Sequence, residues 1–168
     1  GLFYGTTNVG CTNTQGVIYR FNPYSGVYIV LHYFNGTDGK SPYRSALIQA
    51  ANGLIYGSTE YGGASDMGVV FSINPQTGAY TKLHDFTGVD GKNPRSGLTD
   101  AGNGWLYGTT YYGGTGNDVG VLYRFNMADS IYQVLRSFNN YYEGSYPIGD
   151  LLVDANKRTI NAFIGIHQ

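Results

Sequence analysis

GLIYGSTEYGG at residues 53–63, GVVFSINP at 68–75, YTKLHDF at 80–86 and GVDGKNPRSGL at 88–98 decide how this chain is read. Leu54 to Thr59 is rich in β-branched and aromatic residues and predicts a strand. Tyr61 to Asp66 is a glycine-rich loop. Val69 to Ile73 is a second strand, and Asn74-Pro75-Gln76-Thr77-Gly78 is a turn, because Pro presets φ and Gly supplies positive φ. Tyr80 to Phe86 is a third strand, in which Tyr80, Lys82 and His84 alternate with Thr81, Leu83 and Asp85. A polar turn over Gly88 to Pro94 leads to a short fourth strand around Ser96 to Thr99.

This unit recurs on both sides of itself. Gly16-Val17, Gly68-Val69 and Gly120-Val121 stand 52 residues apart, as do Leu31, Leu83 and Leu135, and Phe34, Phe86 and Phe138. Tyr4-Gly5, Tyr56-Gly57 and Tyr107-Gly108 open the copies, and Pro42, Pro94 and Pro147 come near their ends. A period near 50 marks an array of stacked supersecondary units. Four short antiparallel strands per period match one propeller blade. The expectation is therefore an all-β, β-propeller-like array in one repeat domain, residues 1–168, with copies at about 1–52, 53–103 and 104–157 and a partial fourth at 158–168. The strands number thirteen, grouped three, four, four and two. The glycine after each opening Tyr predicts a close approach of backbone.

Composition agrees. The chain has 26 Gly and 17 Tyr, only 12% charged residues and a net charge of −1. Nothing resembles a basic face for nucleic acid, and no apolar run reaches membrane-spanning length. The single Cys11 cannot form an intrachain disulfide. The chain opens on Gly1-Leu2 in mid-repeat, which leads us to expect a processed product or a piece of a longer chain.

The ordered motifs LYGTTYYGG (106–114), GVLYRF (120–125), LHDF (83–86) and the Asp-Gly and Pro positions behind them resemble the GloVer tandem repeats, over residues 1–157. The resemblance implies arrays of β-propeller blades in secreted or surface-anchored bacterial proteins and no known reaction. Family members usually carry more copies than this chain. The match fails after Arg158.

Active sites are built once, from residues that differ between blades, so residues present in every copy read first as packing. His32 and His84 share one position, which Arg136 takes in the third copy; as metal ligands they would sit a blade apart. Asp38 and Asp90 stand in Asp-Gly turns with too few carboxylates nearby for a calcium loop. No metal site, cofactor site or catalytic set is expected. Asn35-Gly36-Thr37 is a possible glycosylation sequon. The loop tyrosines Tyr61, Tyr111, Tyr112, Tyr141, Tyr142 and Tyr146 are candidate ligand contacts, since rings stack on sugar faces and tyrosine also favours protein contact.

An open arc of blades leaves sheet edges bare, which invites pairing with another chain. Leu2, Phe3 and Tyr4 at one end and Ile160, Phe163, Ile164 and Ile166 at the other are the candidate assembly edges. The leading expectation is a non-enzymatic extracellular structural or adhesive module. It would assemble head-to-tail with further copies into a ring or filament. The alternatives are a carbohydrate-binding propeller using the loop tyrosines, and a piece of a propeller enzyme. Expected partners are further copies of the chain and, in the lectin reading, glycans, with no nucleic acid.

Overall fold

The computed structural model describes residues 1–10, 15–154 and 160–161. Thirteen strands lie within it. In chain order they are β1 (Phe3–Thr7), β2 (Val17–Phe21), β3 (Tyr28–Tyr33), β4 (Ile48–Gln49), β5 (Ile55–Thr59), β6 (Val69–Ile73) and β7 (Tyr80–Asp85). They continue with β8 (Thr99–Asp100), β9 (Trp105–Thr109), β10 (Val121–Asn126), β11 (Tyr132–Ser137), β12 (Leu152–Val153) and β13 (Ile160–Asn161). They form four antiparallel meanders in the orders β1-β2-β3, β4-β5-β6-β7, β8-β9-β10-β11 and β12-β13. The grouping is three, four, four and two, as the repeat spacing predicts.

Sheets and sequence repeats are out of phase by one strand. The last strand of each copy crosses to the next sheet, so Ile48 faces Tyr56 and Thr99 faces Tyr107. Every sheet boundary is thereby stitched by the chain. The leading residues of these short strands meet directly. The Gly97 N–H donates to Asp150 Oδ1 at 2.6 Å and the Thr99 hydroxyl to the Leu151 carbonyl at 2.8 Å.

The core lies between sheets. One cluster joins Ile18 and Phe34 of the first copy to Ile55, Val69, Phe71 and Ile73 of the second. The next joins Tyr56, Val70, Phe86 and Leu98 of the second to Leu106, Val121 and Tyr123 of the third. Along β6 the period of two sends Val69, Phe71 and Ile73 one way and Val70 the other. The middle sheet is thus covered on both faces, and all five residues of β5 and of β6 are buried.

The opening Tyr-Gly pairs work differently from the expectation. Gly5, Gly57 and Gly108 stand opposite Tyr19, Phe71 and Tyr123 in register. A Cβ on Gly57 would fall 2.6 Å from the Phe71 ring. The glycine therefore makes room for an aromatic ring rather than for a second backbone.

Candidate functional site

Two constructions stand out above the packing, a joint repeated between sheets and an aromatic cleft built once.

The joint begins with the histidines. His32 Nε2 donates to Asp38 Oδ2 at 3.0 Å, and His84 Nε2 to Asp90 Oδ2 at 3.0 Å. Each imidazole lies flat on a tyrosine of the next sheet. His32 stacks on Tyr80 with centroids 3.9 Å apart, and His84 on Tyr132 at 3.8 Å. Each tyrosine hydroxyl then donates to the carbonyl of the same aspartate, Tyr80 to Asp38 at 2.5 Å and Tyr132 to Asp90 at 2.6 Å. Burial lowers the His32 pKa despite Asp38, so the ring is neutral and stacks as an aromatic. Burial alone would raise the Asp90 carboxyl. Hydrogen bonds from His84 and Thr87 together hold it below its ordinary value. Burial raises both Tyr80 and Tyr132, which therefore keep the proton they donate.

Backbone reinforces the joint. The N–H groups of Lys40 and Tyr61 donate to each other's carbonyls at 2.9 and 3.1 Å, and Lys92 and Tyr112 repeat the pair at 2.9 and 3.1 Å. The Tyr-Gly-Gly loop explains itself here. A Cβ on Gly62 would sit 2.5 Å from the Gly39 carbonyl carbon, and its φ is +84°. Only glycine lets this loop lie against the preceding Asp-Gly turn.

The cleft gathers the loop tyrosines. Tyr111 and Tyr146 stack at 5.1 Å, and Tyr112 meets Tyr111 edge-on at 4.6 Å and Tyr146 at 5.5 Å. The Arg95 guanidinium lies 4.0 Å above the Tyr111 ring. It is held in place by the buried Glu60 carboxylate, to which Nε donates at 2.8 Å and Nη2 at 2.7 Å. Burial opposes the Arg95 charge, but Glu60 and a hydrogen bond with the Tyr61 side chain outweigh it. Tyr61, Tyr111, Tyr112 and Tyr146 therefore gather about one arginine. Beside them lies a cleft of about 250 Å³ lined by Tyr43, Arg44, Arg95, Tyr111 and Ile148.

Tyr141 and Tyr142 do not join this group. They are 77% and 91% exposed in the loop after β11. Leu2 and Phe3 are exposed, while Tyr4 packs against the first intersheet core. Ile160 pairs with Val153 in β13, whereas Phe163, Ile164 and Ile166, like Cys11, lie outside the described residues. Asn35 is exposed, and its Oδ1 accepts hydrogen bonds from the Thr37 hydroxyl at 2.8 Å and from two backbone N–H groups.

Sequence reasoning missed Tyr43, Arg44, Glu60 and Arg95. The available signal was variation after a fixed proline. Pro42, Pro94 and Pro147 are followed by Tyr-Arg, Arg and Ile before the chain resumes its common course.

The architecture has known counterparts. One is a chain of a nidogen–laminin complex (TM-score 0.62, 19% identity, covering 95% of this chain and 51% of that one). Another is a domain described as the extracellular part of a hybrid two-component system from B. thetaiotaomicron (0.59, 18%, 89% and 16%). A third is the periplasmic gluconolactonase PpgL of Pseudomonas aeruginosa (0.58, 17%, 96% and 46%). These identities speak to fold alone, which is all-β and propeller-like. The chain spans between 16% and 51% of these three relatives. They include periplasmic and extracellular proteins. No helix among the described residues is long and apolar enough to cross a membrane. No curated protein sequence matches the chain. The profile of a repeat family, described as the Gloeobacter/Verrucomicrobia repeat, matches residues 1–167, so the likeness runs past Arg158, where the sequence motifs alone place its end.

Proposed function

This chain belongs to the Gloeobacter/Verrucomicrobia repeat family, and from that premise we propose that it is a non-enzymatic structural and adhesive module of the cell exterior. It works by joining further blades of its own kind at both outward faces. One observation carries this reading: the intersheet joint is built twice from the same parts, and each outward face displays one half of it.

On the first sheet, Tyr28 holds the position of Tyr80 and Tyr132 and is half exposed. One groove adjoins it, lined by Val9, Val17, Val30 and Tyr33. On the third sheet, Arg136 and Glu143 pair where His-Asp stands in the other copies. A guanidinium stacks on a tyrosine ring as readily as an imidazole does. The edge of the first sheet is complementary in the same sense. β5 and β9 each receive a short strand from the preceding copy, and β1 is the edge strand of its sheet. The strand that completes it has the chemistry of β4, β8 and β12. Contact of this kind is head-to-tail and closes into a ring or runs on as a filament.

Light scattering coupled to size-exclusion chromatography tests the proposal. The expected result is a mass that rises above 18.3 kDa with concentration and falls back when Tyr28→Ala or Arg136→Ala is introduced. A constant monomer mass at high concentration contradicts it.

A second reading, carbohydrate binding, is favoured by the convergence of four tyrosines on Arg95 beside an open cleft. Rings and a fixed guanidinium suit a sugar's apolar face and its hydroxyls. The lining of that cleft supplies neither carboxylate nor imidazole, which supports binding over catalysis.

A further inference from the structure

We infer that the cleft bounded by Tyr43, Arg44, Arg95, Tyr111 and Ile148 binds an acidic sugar, with Arg44 holding its carboxylate and the tyrosine rings carrying its apolar face. The inference rests on the carbohydrate reading and narrows it to uronic acids and related carboxylated rings.

The loops after Pro42, Pro94 and Pro147 converge where successive sheets meet through Gly97 and Asp150. Elsewhere these loops repeat one another. Ser41, Asn93 and Tyr146 each take a left-handed φ, at 53°, 53° and 58°. Their N–H groups donate to the carbonyls of Gln15, Met67 and Val119 at 2.8, 2.8 and 2.9 Å. Ser45 meets Ser58, and Ser96 meets Thr109, both at 2.9 Å. Between those fixed points the copies diverge. Two residues, Tyr43 and Arg44, separate Pro42 from Ser45, while Arg95 alone separates Pro94 from Ser96. Counted from the serines, Arg44 stands where Arg95 does and Tyr43 is the added residue, but Arg44 alone of the two takes a left-handed φ.

Arg95 is neutralised by Glu60, so it forms a rigid wall and brings no net charge. Arg44 is exposed, with its guanidinium 5.2 Å from the centroid of the Tyr43 ring. The ion pairs of the described residues use other cations. One uncompensated guanidinium matches one singly charged carboxylate, which it grips through two parallel N–H bonds. A phosphate dianion would need a second cation. Arg44 takes φ +61°, a conformation disfavoured for a side chain of this size and found where an arrangement serves a purpose. The cleft, at about 250 Å³, lies below the usual range for drug-sized ligands, roughly 300–1,000 Å³. It therefore takes a single ring or the end of a glycan.

Calorimetric titration of the full chain with glucuronic and galacturonic acids, their methyl esters, and glucose and galactose tests this. We expect at least one acid to bind about ten-fold tighter than its ester, with the preference shrinking as salt is raised. Arg44→Gln should abolish the preference and leave ester and neutral-sugar binding in place. Arg44→Lys should restore only part of it, because an ammonium lacks the fork. Equal binding of acid and ester overturns the inference and leaves the carbohydrate reading standing. Wild-type protein that binds none of these sugars overturns both. An acid preference that survives in Arg44→Gln overturns the role given to Arg44.

Discussion

The first and middle sheets are written in nearly the same sequence and live in different surroundings. Phe3 in β1 is 63% exposed, while its counterpart Ile55 in β5 is 2% exposed. β5 is buried along its whole length and β1 nowhere. Local pattern makes the strand, and the neighbouring sheet makes the core. The same contrast reaches single atoms. Thr59 and Thr110 donate their hydroxyls to the carbonyls of Tyr61 and Tyr112, both at 2.7 Å. Thr7, in the first copy, has a buried Oγ1 without a hydrogen-bond partner among the described residues. Val9 stands there in the place of Tyr61 and Tyr112, in a loop without the Tyr-Gly-Gly sequence.

Substitutions in matched positions sharpen this contrast. The largest expected effect is Phe71→Ala in β6, about 3–5 kcal/mol of stability, because the ring fills the space beside Gly57 between two sheets. Phe3→Ala should cost below about 0.5 kcal/mol in the monomer. Urea denaturation measures both, and equal losses would break the comparison. Gly62→Ala should cost about 2 kcal/mol or more, since the new methyl meets the Gly39 backbone in a left-handed conformation. Gly26→Ala, with a φ of +70° but open space around it, should cost about 1 kcal/mol.

The joint comes next. His84→Ala removes the ring on Tyr132 and strips Asp90 of its donor, for an expected loss of about 2 kcal/mol. Arg136→Ala, at the outward copy of the same position, should cost below about 0.5 kcal/mol in the monomer. Thermal melts at low concentration separate the two. The smallest effect is a pH dependence. Folded His32 sits below its ordinary 6.5, so the unfolded chain binds the proton more readily. Stability should be full above that value and decline as pH falls through it. Asp90, held below 3.8, adds a second loss as pH falls beneath that value. His32→Gln should remove the first decline, and melts from pH 8 to pH 3 measure it.

Much of the fold was legible because the copies repeat. The positions of Gly16, Gly68 and Gly120 alone set the period, and the strand grouping followed from it. The phase between repeat and sheet was harder to read, since Ile48-Gln49 and Thr99-Asp100 are two-residue strands with little pattern of their own. The Tyr-Gly pairs showed that glycine was needed but not what occupied the space. The joint was half legible. His32 and His84 stood out as a shared position, while the partners Tyr80 and Tyr132 lie almost a full repeat away and gave no local signal. The cleft was least legible. Tyr61, Tyr111, Tyr112 and Tyr146 were visible as loop aromatics, but Arg44 and Arg95 mark themselves only by their absence from the third copy, where Ile148 follows the proline.

The central claim is that the outward face of the first sheet is a half-joint awaiting another blade. Hydrogen exchange at the β1 and β3 amides, measured at low and high protein concentration, tests it most directly. The account predicts that exchange in Phe3–Thr7 and Tyr28–Tyr33 slows as concentration rises while that of β5 stays unchanged. Exchange in β1 and β3 that is fast and independent of concentration would contradict it.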